Sequence, residues 1–306
     1  MNIEAWKCFC AVVEEGSFRA AADRLHRSQP AVSQQIKSLE RELGHVLLER
    51  KTCRLTPMGS LLYDRTRHIL NETESLAREL EDFDETQAGD LRVGTSDTTA
   101  LYVLPEVVRL FAQNMPQTHL TMVNRPSQAI AEQVARGELD LGIVTLPISN
   151  EGLIERELFE QELVLVAPAN HALAARNRVN LSELREEPFL MLNHHTRTGA
   201  VLHALFSREA FNPQVVLDSG SFEVIKRYVG EGIGVAFLPR VAVTPEDTQL
   251  ATVNVPGLPR VRIGVIQRRH AYHTKAERAF LELLHAQLGG KGSKPPHESS
   301  SSKGST

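Results

Sequence analysis

Pro30, Gln34, Lys37 and Arg41 recur at spacings of four, three and four residues, so on a helix they share one face. That face is polar and positive and holds no carboxylate, although Glu40 and Glu42 stand beside it. Glutamine amides pair with base edges, and lysine and arginine hold phosphates. The chemistry on offer is therefore recognition of a DNA groove rather than bond cleavage. Val32, Ile36, Leu39 and Leu43 follow the same spacing on the opposite side and form an apolar stripe for a small core. An ordinary amphipathic surface helix has the same pattern, so the flanking stretches decide between the two.

Those stretches supply a scaffold. Ile3, Trp6, Cys10 and Val13 have helical spacing over residues 3–15, and Gly16 ends that run. Ser17 caps a second helix whose Ala20, Ala21 and Ala22 let helices approach closely. His26 and Arg27 make a turn, Ser28 caps the polar-faced helix and Gly44 closes it. Next, short apolar runs flank a tip crowded with Arg50, Lys51 and Arg54, which predicts a small β-hairpin or wing able to reach neighbouring phosphates or a minor groove. Thr56-Pro57 starts a long helix expected to reach about Gln87. Leu62, Ile69, Leu76 and Phe83 repeat every seven residues, with Leu80 beside them, which predicts a coiled-coil-like seam and a homodimer. Two copies would set two recognition helices on two half-sites.

The chain of 306 residues has room for two or three domains. Its 42% hydrophobic and 24% charged residues are ordinary for a soluble globular protein. No run is apolar enough to span a bilayer, and the start lacks a signal-peptide pattern, so a cytoplasmic location is expected. Net charge is −4, but residues 1–58 hold nine Lys/Arg against seven Asp/Glu, a local excess that suits DNA contact. Cys8, Cys10 and Cys53 are too few and too clustered for a disulfide framework. Cys8 and Cys10 read as reduced, partly buried small residues, with redox sensing as the alternative.

After Gly89 the pattern becomes α/β. Strands are expected at L-R-V-G-T, H-L-T-M-V, L-D-L-G-I-V, Ile154–Leu158 and Leu163–Ala167, with helices at Leu101–Asn114 and Ile130–Arg136. The alternation repeats with strands P-F-L-M-L, Q-V-V-L-D, G-V-A-F-L, Ala251–Val255 and Val261–Gln267 and helices Val201–Phe211, Phe222–Gly230 and Lys275–Leu288. This predicts two open sheets with helices on their faces. Residues 289–306 are rich in Gly, Ser, Pro and Lys and are expected to be disordered.

The run R-A-A-A-D-R-L-H-R-S-Q-P-A-V-S-Q-Q-I-K-S-L-E-R-E-L-G-H-V-L-L-E-R, then L-T-P-M-G, closely resembles the N-terminal region of LysR-type transcriptional regulators. G-E-L-D-L-G-I at 137–143 and G-E-G-I-G-V-A-F-L-P at 230–239 fit as well, so the resemblance covers about residues 1–288. It implies a winged helix-turn-helix over 1–58, a linker helix over 59–88 that pairs between subunits, and an effector domain over 89–288 like a periplasmic binding protein. Subdomain I would hold about 89–166 and 268–288 and subdomain II about 167–267, with crossings near Ala167 and Gln267. The resemblance also implies a homotetramer built as a dimer of dimers, promoter DNA and RNA polymerase as partners, and a small-molecule effector in the cleft. The family's DNA-contacting positions fall on Gln29, Pro30, Ser33, Gln34 and Lys37, and on Arg50 and Arg54 in the wing.

In this family the effector lies where several helices begin, and helix starts suit oxyanions. The matching positions are Thr95, Ser96, Asp97, Thr98 and Thr99 after the first strand, Arg125 and Ser127 after the second, and Thr145 after the third. Subdomain II adds Asn193, His194, His195, Thr196, Arg197 and Thr198, then Ser221 and Phe222. Each hydroxyl has the alternative of serving only as a helix cap. His194, His195 and Arg197 favour an anion. Asp97 either caps the next helix or binds the amino group of a zwitterion. T-S-D-T-T-A-L-Y also resembles the hydroxyl-rich loop of sulfur-metabolism members, which implies a small inorganic or sulfur-containing anion as another candidate. Enzyme readings are weak: there is no G-x-S-x-G elbow, and G-E-G-I-G at 230–234 precedes a strand and lacks Rossmann spacing. His194-His195 and His270/His273 read as polar loop residues before metal ligands. No cofactor, metal or catalytic residue is expected.

Overall fold

The computed structural model describes residues 2–49, 52–82, 89–269 and 271–289. Arg50 and Lys51 of the wing, Phe83 and the expected helix extension to Gln87, His270, and the tail from residue 290 lie outside the described residues. Two compact units result, Met1–Thr86 with Arg136–Glu138, and Gln87–Ala135 with Leu139–Thr306.

The first unit begins with α1 (Ile3–Glu15), α2 (Phe18–Arg24) and α3 (Gln29–Leu43). Gly16 ends α1 at φ 62° and Gly44 ends α3 at φ 71°, left-handed backbone that favours glycine. Ser17 and Ser28 accept the N–H groups of Ala20 and Ala31 as caps. Val32, Ile36 and Leu39 are buried as their spacing requires, and with Phe9, Val12, Leu47 and Leu48 they make the core. Cys8 and Cys10 belong to it. Burial pushes the Cys10 thiol up to about 11, which disfavours the reactive thiolate and argues against redox sensing there. The wing is a single antiparallel bridge, Leu48 with Leu55, closed by the Glu49 N–H on the Arg54 carbonyl.

Thr56 joins wing to long helix α4 (Pro57–Asp82). Its Oγ1 accepts from the Gly59 N–H at 3.0 Å and donates to the Val46 carbonyl at 2.8 Å. The expected seam is split. Leu62 packs against the first unit's core with Tyr63 and Leu70, whereas Ile69, Leu76 and Leu80 are 41, 56 and 65% exposed. Heptad spacing alone could not show that α4 serves two faces.

The second unit alternates as expected: β1 (Asp90–Thr95), α5 (Asp97–Tyr102), α6 (Pro105–Asn114), β2 (His119–Asn124), α7 (Ser127–Ala135), β3 (Leu141–Thr145), β4 (Leu153–Gln161) and β5 (Leu163–Pro168). It continues with β6 (Pro188–Leu192), α8 (Arg197–Arg208), β7 (Gln214–Ser219), α9 (Phe222–Gly230), β8 (Ala236–Pro239), β9 (Leu250–Val253), β10 (Val261–Arg268) and α10 (Lys275–Leu288). The single helix expected over Leu101–Asn114 is two, because Pro105 has no N–H to continue α5 and instead starts α6.

β1 runs parallel to β2 and β3, and β10 runs antiparallel between β3 and β4, giving the order β2-β1-β3-β10-β4. The other lobe has antiparallel β8-β5-β9 and parallel β6-β7. A bridge from Phe189 to Val235 ties these two sheets together. Gly234 allows that approach, since a Cβ there would lie 2.2 Å from the Pro188 carbonyl oxygen. The chain leaves the first sheet after Gln161 and joins the second at Leu163; it leaves β9 at Val253 and returns at Val261. The crossings therefore fall at Glu162 and at residues 254–260, not near Ala167 and Gln267. Gln267 stays inside β10, where its amide donates to the buried Glu277 carboxylate at 2.7 Å and so anchors α10. Among the described residues no helix is long and apolar enough to cross a membrane.

His273 Nδ1 donates to the same carboxylate at 2.8 Å. That bond raises the imidazole pKa from 6.5 against the opposing effects of burial and of Arg156 and Arg268. A raised folded-state pKa adds stability below about pH 6.5, and the gain fades as pH rises through the shifted value. The unfolding-temperature gap between wild type and His273→Gln should be widest at pH 6 and shrink by pH 8.5. A gap that widens with pH would contradict this sign. Thr56→Ala should lower the stability of the first unit by about 1 kcal/mol in urea unfolding, with Thr56→Ser restoring most of it.

Candidate functional site

The first unit presents one chemically distinct surface. Gln29, Pro30, Gln34, Lys37 and Arg41 on α3 are exposed, Ser33 is half-buried, and Arg54 is exposed in the wing. Arg50, its expected companion, lies outside the described residues. Two acidic neighbours are held in local hydrogen bonds. Glu40 accepts the Leu47 N–H at 3.0 Å, and Glu49 accepts the Thr52 hydroxyl at 2.9 Å. Arg24 and Arg27 are committed to the scaffold through Glu14, Glu15 and Glu4. Lys37 and Arg41 on α3 and Arg54 in the wing face outward, as phosphate contact requires.

In the second unit, four strand-to-helix turns converge on one cavity of about 250 Å³. Ser96, Asp97 and Thr98 line it from the start of α5, and Arg125 and Ser127 from the start of α7. Thr145 comes from the end of β3. Thr196, Arg197 and Thr198 come from the start of α8, with Ser221 and Phe222 from that of α9. Parallel strands place their following helices at the carboxyl edge of the sheet, so these starts point inward.

The remaining expected positions stand behind this wall. Thr95 is fully buried and its hydroxyl donates to the Ile143 carbonyl at 3.1 Å. Thr99 is buried, 3.1 Å from the Ser96 hydroxyl. Asn193 shapes the α8 entry: its carbonyl accepts from the Thr196 hydroxyl and its side chain from the His195 N–H. His194 and His195 are exposed and lie against each other, with ring centroids 3.9 Å apart and planes tilted by 42°.

Asp97 is not the cap of α5. Ser96 holds that role, and Asp97 sits in the first turn with its carboxylate accepting from the Asn124 amide at 2.8 Å. Arg125 and Arg197 line the same cavity as this one engaged carboxylate, and Arg125 donates to the Asn124 carbonyl at 2.9 Å. Arg197 also donates to the Pro147 carbonyl. At α9, Ser221 makes no side-chain cap bond, so the first-turn N–H groups there are not satisfied by a capping hydroxyl. Two arginines against one carboxylate give the lining an excess of positive side chains.

The two lobes are tied beside the cavity. The Tyr102 hydroxyl donates to Glu223 at 2.6 Å, and Lys226 donates to Tyr102 at 2.6 Å and to Asp247 at 3.2 Å. Burial, then the bond to Glu223, raises the Tyr102 phenol pKa. Burial works against the Lys226 ammonium, but its bonds to Tyr102 and Asp247 outweigh it and raise its pKa.

Five lining residues were not anticipated. Asn124, Pro126 and Gly220 adjoin expected positions. Gln161 and Ile263 come from β4 and β10, where the strand pattern marks neither as different from its neighbours.

The family profile described as "Bacterial regulatory helix-turn-helix protein, lysR family" matches residues 3–60, and that described as "LysR substrate binding domain" matches residues 84–289. The hydrogen peroxide-inducible genes activator of Escherichia coli O6:H1 is 31% identical over 296 residues, covering 95% of this chain and 97% of that protein. The crystal structure of full-length CbnR complexed with its target DNA is similar at TM-score 0.69 and 23% identity, over 94% of this chain and 100% of that one. The Synechocystis PCC6803 CcmR regulatory domain in complex with 2-PG is similar at TM-score 0.62 and 24% identity, over 67% of this chain and 100% of that one.

Gly199 tests how tightly the cavity wall is built. A Cβ there would lie 2.2 Å from the Asn193 carbonyl oxygen and 2.7 Å from the Thr196 hydroxyl. Gly199→Ala should destabilise the second unit by ~1–3 kcal/mol through overpacking. Gly220→Ala, whose Cβ meets nothing within 4 Å, is the matched control and should unfold like wild type.

Proposed function

The chain belongs to the LysR family, DNA-binding transcriptional regulators that respond to small-molecule effectors, and from that premise we propose how its two surfaces divide the work. Gln29, Pro30, Ser33 and Gln34 read base edges from the major groove, Lys37 holds a phosphate, and Arg50 and Arg54 reach the backbone from the wing. Charge support comes from the acidic neighbours Glu40 and Glu49, which are turned into internal hydrogen bonds. The similar CbnR fold was solved on its target DNA.

The cavity binds a small anion. The observation that carries this is the convergence of helix starts and two guanidiniums on a space whose one lining carboxylate is already bonded to Asn124. That same bond argues against a zwitterion with its ammonium on Asp97. A second reading is peroxide, since a relative is a hydrogen peroxide-inducible activator. Cys8, Cys10 and Cys53 all precede the effector domain, so peroxide has no thiol to oxidise there. Reversible binding is the better reading, as in the similar domain solved with 2-PG.

The exposed Ile69, Leu76 and Leu80 on α4 would be covered by a second copy. Two recognition helices then address two half-sites, and a dimer of dimers contacts RNA polymerase at a promoter in the cytoplasm. The protein acts by binding and performs no catalysis.

The double variant Gln34→Ala/Lys37→Ala of the full chain tests this reading against the DNA upstream of its own gene. Specific binding should be lost, and the slope of log affinity against log salt should fall by about 0.9 for the lost phosphate contact. Thermal stabilisation by small acids should persist. Unchanged specific binding would show that α3 is not the reading element.

A further inference from the structure

Gln161 is the last residue of β4, one position before the crossing at Glu162. It pairs with Val261, where β10 returns across the same gap, so both crossing strands meet at this residue. Its side chain lines the cavity, is only 8% exposed, and among the described residues its Nε2 has no hydrogen-bond partner. Buried amide donors are normally satisfied, because an unmade bond leaves the desolvation of the group uncompensated. An unpartnered donor on a residue that lines a ligand-sized space is accounted for by a ligand atom that completes it. Two N–H bonds on Nε2 require an acceptor, so an ammonium or an apolar tail is the wrong partner. Ile263 beside it offers no polar group that could serve instead.

We propose that Gln161 is a specificity-determining residue of the cleft: its amide donates to an oxygen of the effector at the point where the chain passes between lobes. This rests on the anion-binding reading above and deepens it. The anionic group lies against Arg125, Arg197 and the helix starts, and a second oxygen reaches Gln161. The effector class is a compact acid with a second oxygen function, a hydroxy acid, an oxo acid or a diacid. A simple fatty acid, an aromatic acid with an apolar tail and an α-amino acid are disfavoured. Because Gln161 borders the crossing, filling its donor also couples occupancy to the hinge between the two sheets.

The test uses the full chain with four probes, glycolate, glyoxylate, oxalate and malonate, and two reference acids, acetate and propionate. Thermal shift ranks them, and calorimetry measures Kd for wild type, Gln161→Leu and Gln161→Glu. For wild type, at least one probe should bind more tightly than the references. Gln161→Leu should weaken that probe about tenfold, equivalent to ~1.4 kcal/mol, and leave the references unchanged. Gln161→Glu, which offers only acceptors and a charge, should weaken it further. Without ligand, Gln161→Leu should unfold at or above the wild-type midpoint, because it removes an unsatisfied donor.

A lower unliganded midpoint for Gln161→Leu would mean that the amide holds the fold, and the proposal would fall. Equal probe affinity in wild type and Gln161→Leu would also overturn it while leaving the anion-binding cleft standing. If no probe or reference acid stabilises wild type at millimolar concentration, the anion-binding reading fails, and this proposal with it.

Discussion

Parallel strand pairing is the constraint on which the effector domain depends. β1 lies parallel to β2 and β3, and β6 parallel to β7, so each connection must climb back over the sheet as a helix. Helices that follow parallel strands all start at the same edge. Their first-turn N–H groups therefore gather at one place without any further instruction from the sequence. What the sequence adds is how each start is finished. Ser96 and Thr196 cap their own helices, Ser127 accepts the Thr145 N–H instead, and Ser221 makes no capping bond. The cavity wall is thus a mixture of satisfied hydroxyls, which shape it, and donors that remain available to a ligand.

The antiparallel strand β10 supplies the second ingredient. It enters the first sheet between β3 and β4, and its start is paired with Gln161 at the end of β4. Both passages between lobes are fixed at one level of the molecule. Gln161 and Ile263 reach the cavity from these strands, whereas the other lining residues come from strand ends and helix starts. The Tyr102, Glu223 and Lys226 bonds sit beside that hinge and join the lobes on a different element pair, α5 with α9. A ligand that pulls on Gln161 and on the α9 start acts on both sets of inter-lobe contacts.

Much of this was legible in the residues, and the failures have physical reasons. Helix boundaries carrying their own caps, such as Ser28 with Gly44 or Thr56-Pro57, could be located because the capping chemistry is local. The hydroxyl-rich turns were also legible, since turn and helix start are contiguous in the chain. In sequence Asp97 and its neighbour Ser96 are both candidates for the cap of α5, and one residue of register decides for Ser96. The crossings were placed several residues too late on the first side and too late again on the second. Apolar runs mark buried strands but do not say which sheet owns them, and β5 and β10 are both buried along most of their length. Gln161 and Ile263 were invisible for a related reason: strands distant in sequence bring them together, and only the register of β4 against β10 does so.

The two surfaces place different demands on their polar groups. On α3 the exposed amides and cations cost little while unoccupied, because water satisfies them, and salt-dependent attraction can be strong without a preformed pocket. For a buried group on the cavity wall an unmade bond counts, because the group has given up water. A buried donor such as Gln161 therefore discriminates in a way that Lys37 cannot. It penalises any occupant that fails to present an acceptor, whereas a surface lysine accepts any phosphate within reach. On the proposed reading, selectivity for the effector is concentrated in few buried atoms, and selectivity for DNA is distributed over many exposed ones. A single substitution at the cavity wall can change which acid is read without disturbing the groove-facing helix, since the two sets of atoms belong to separately packed units.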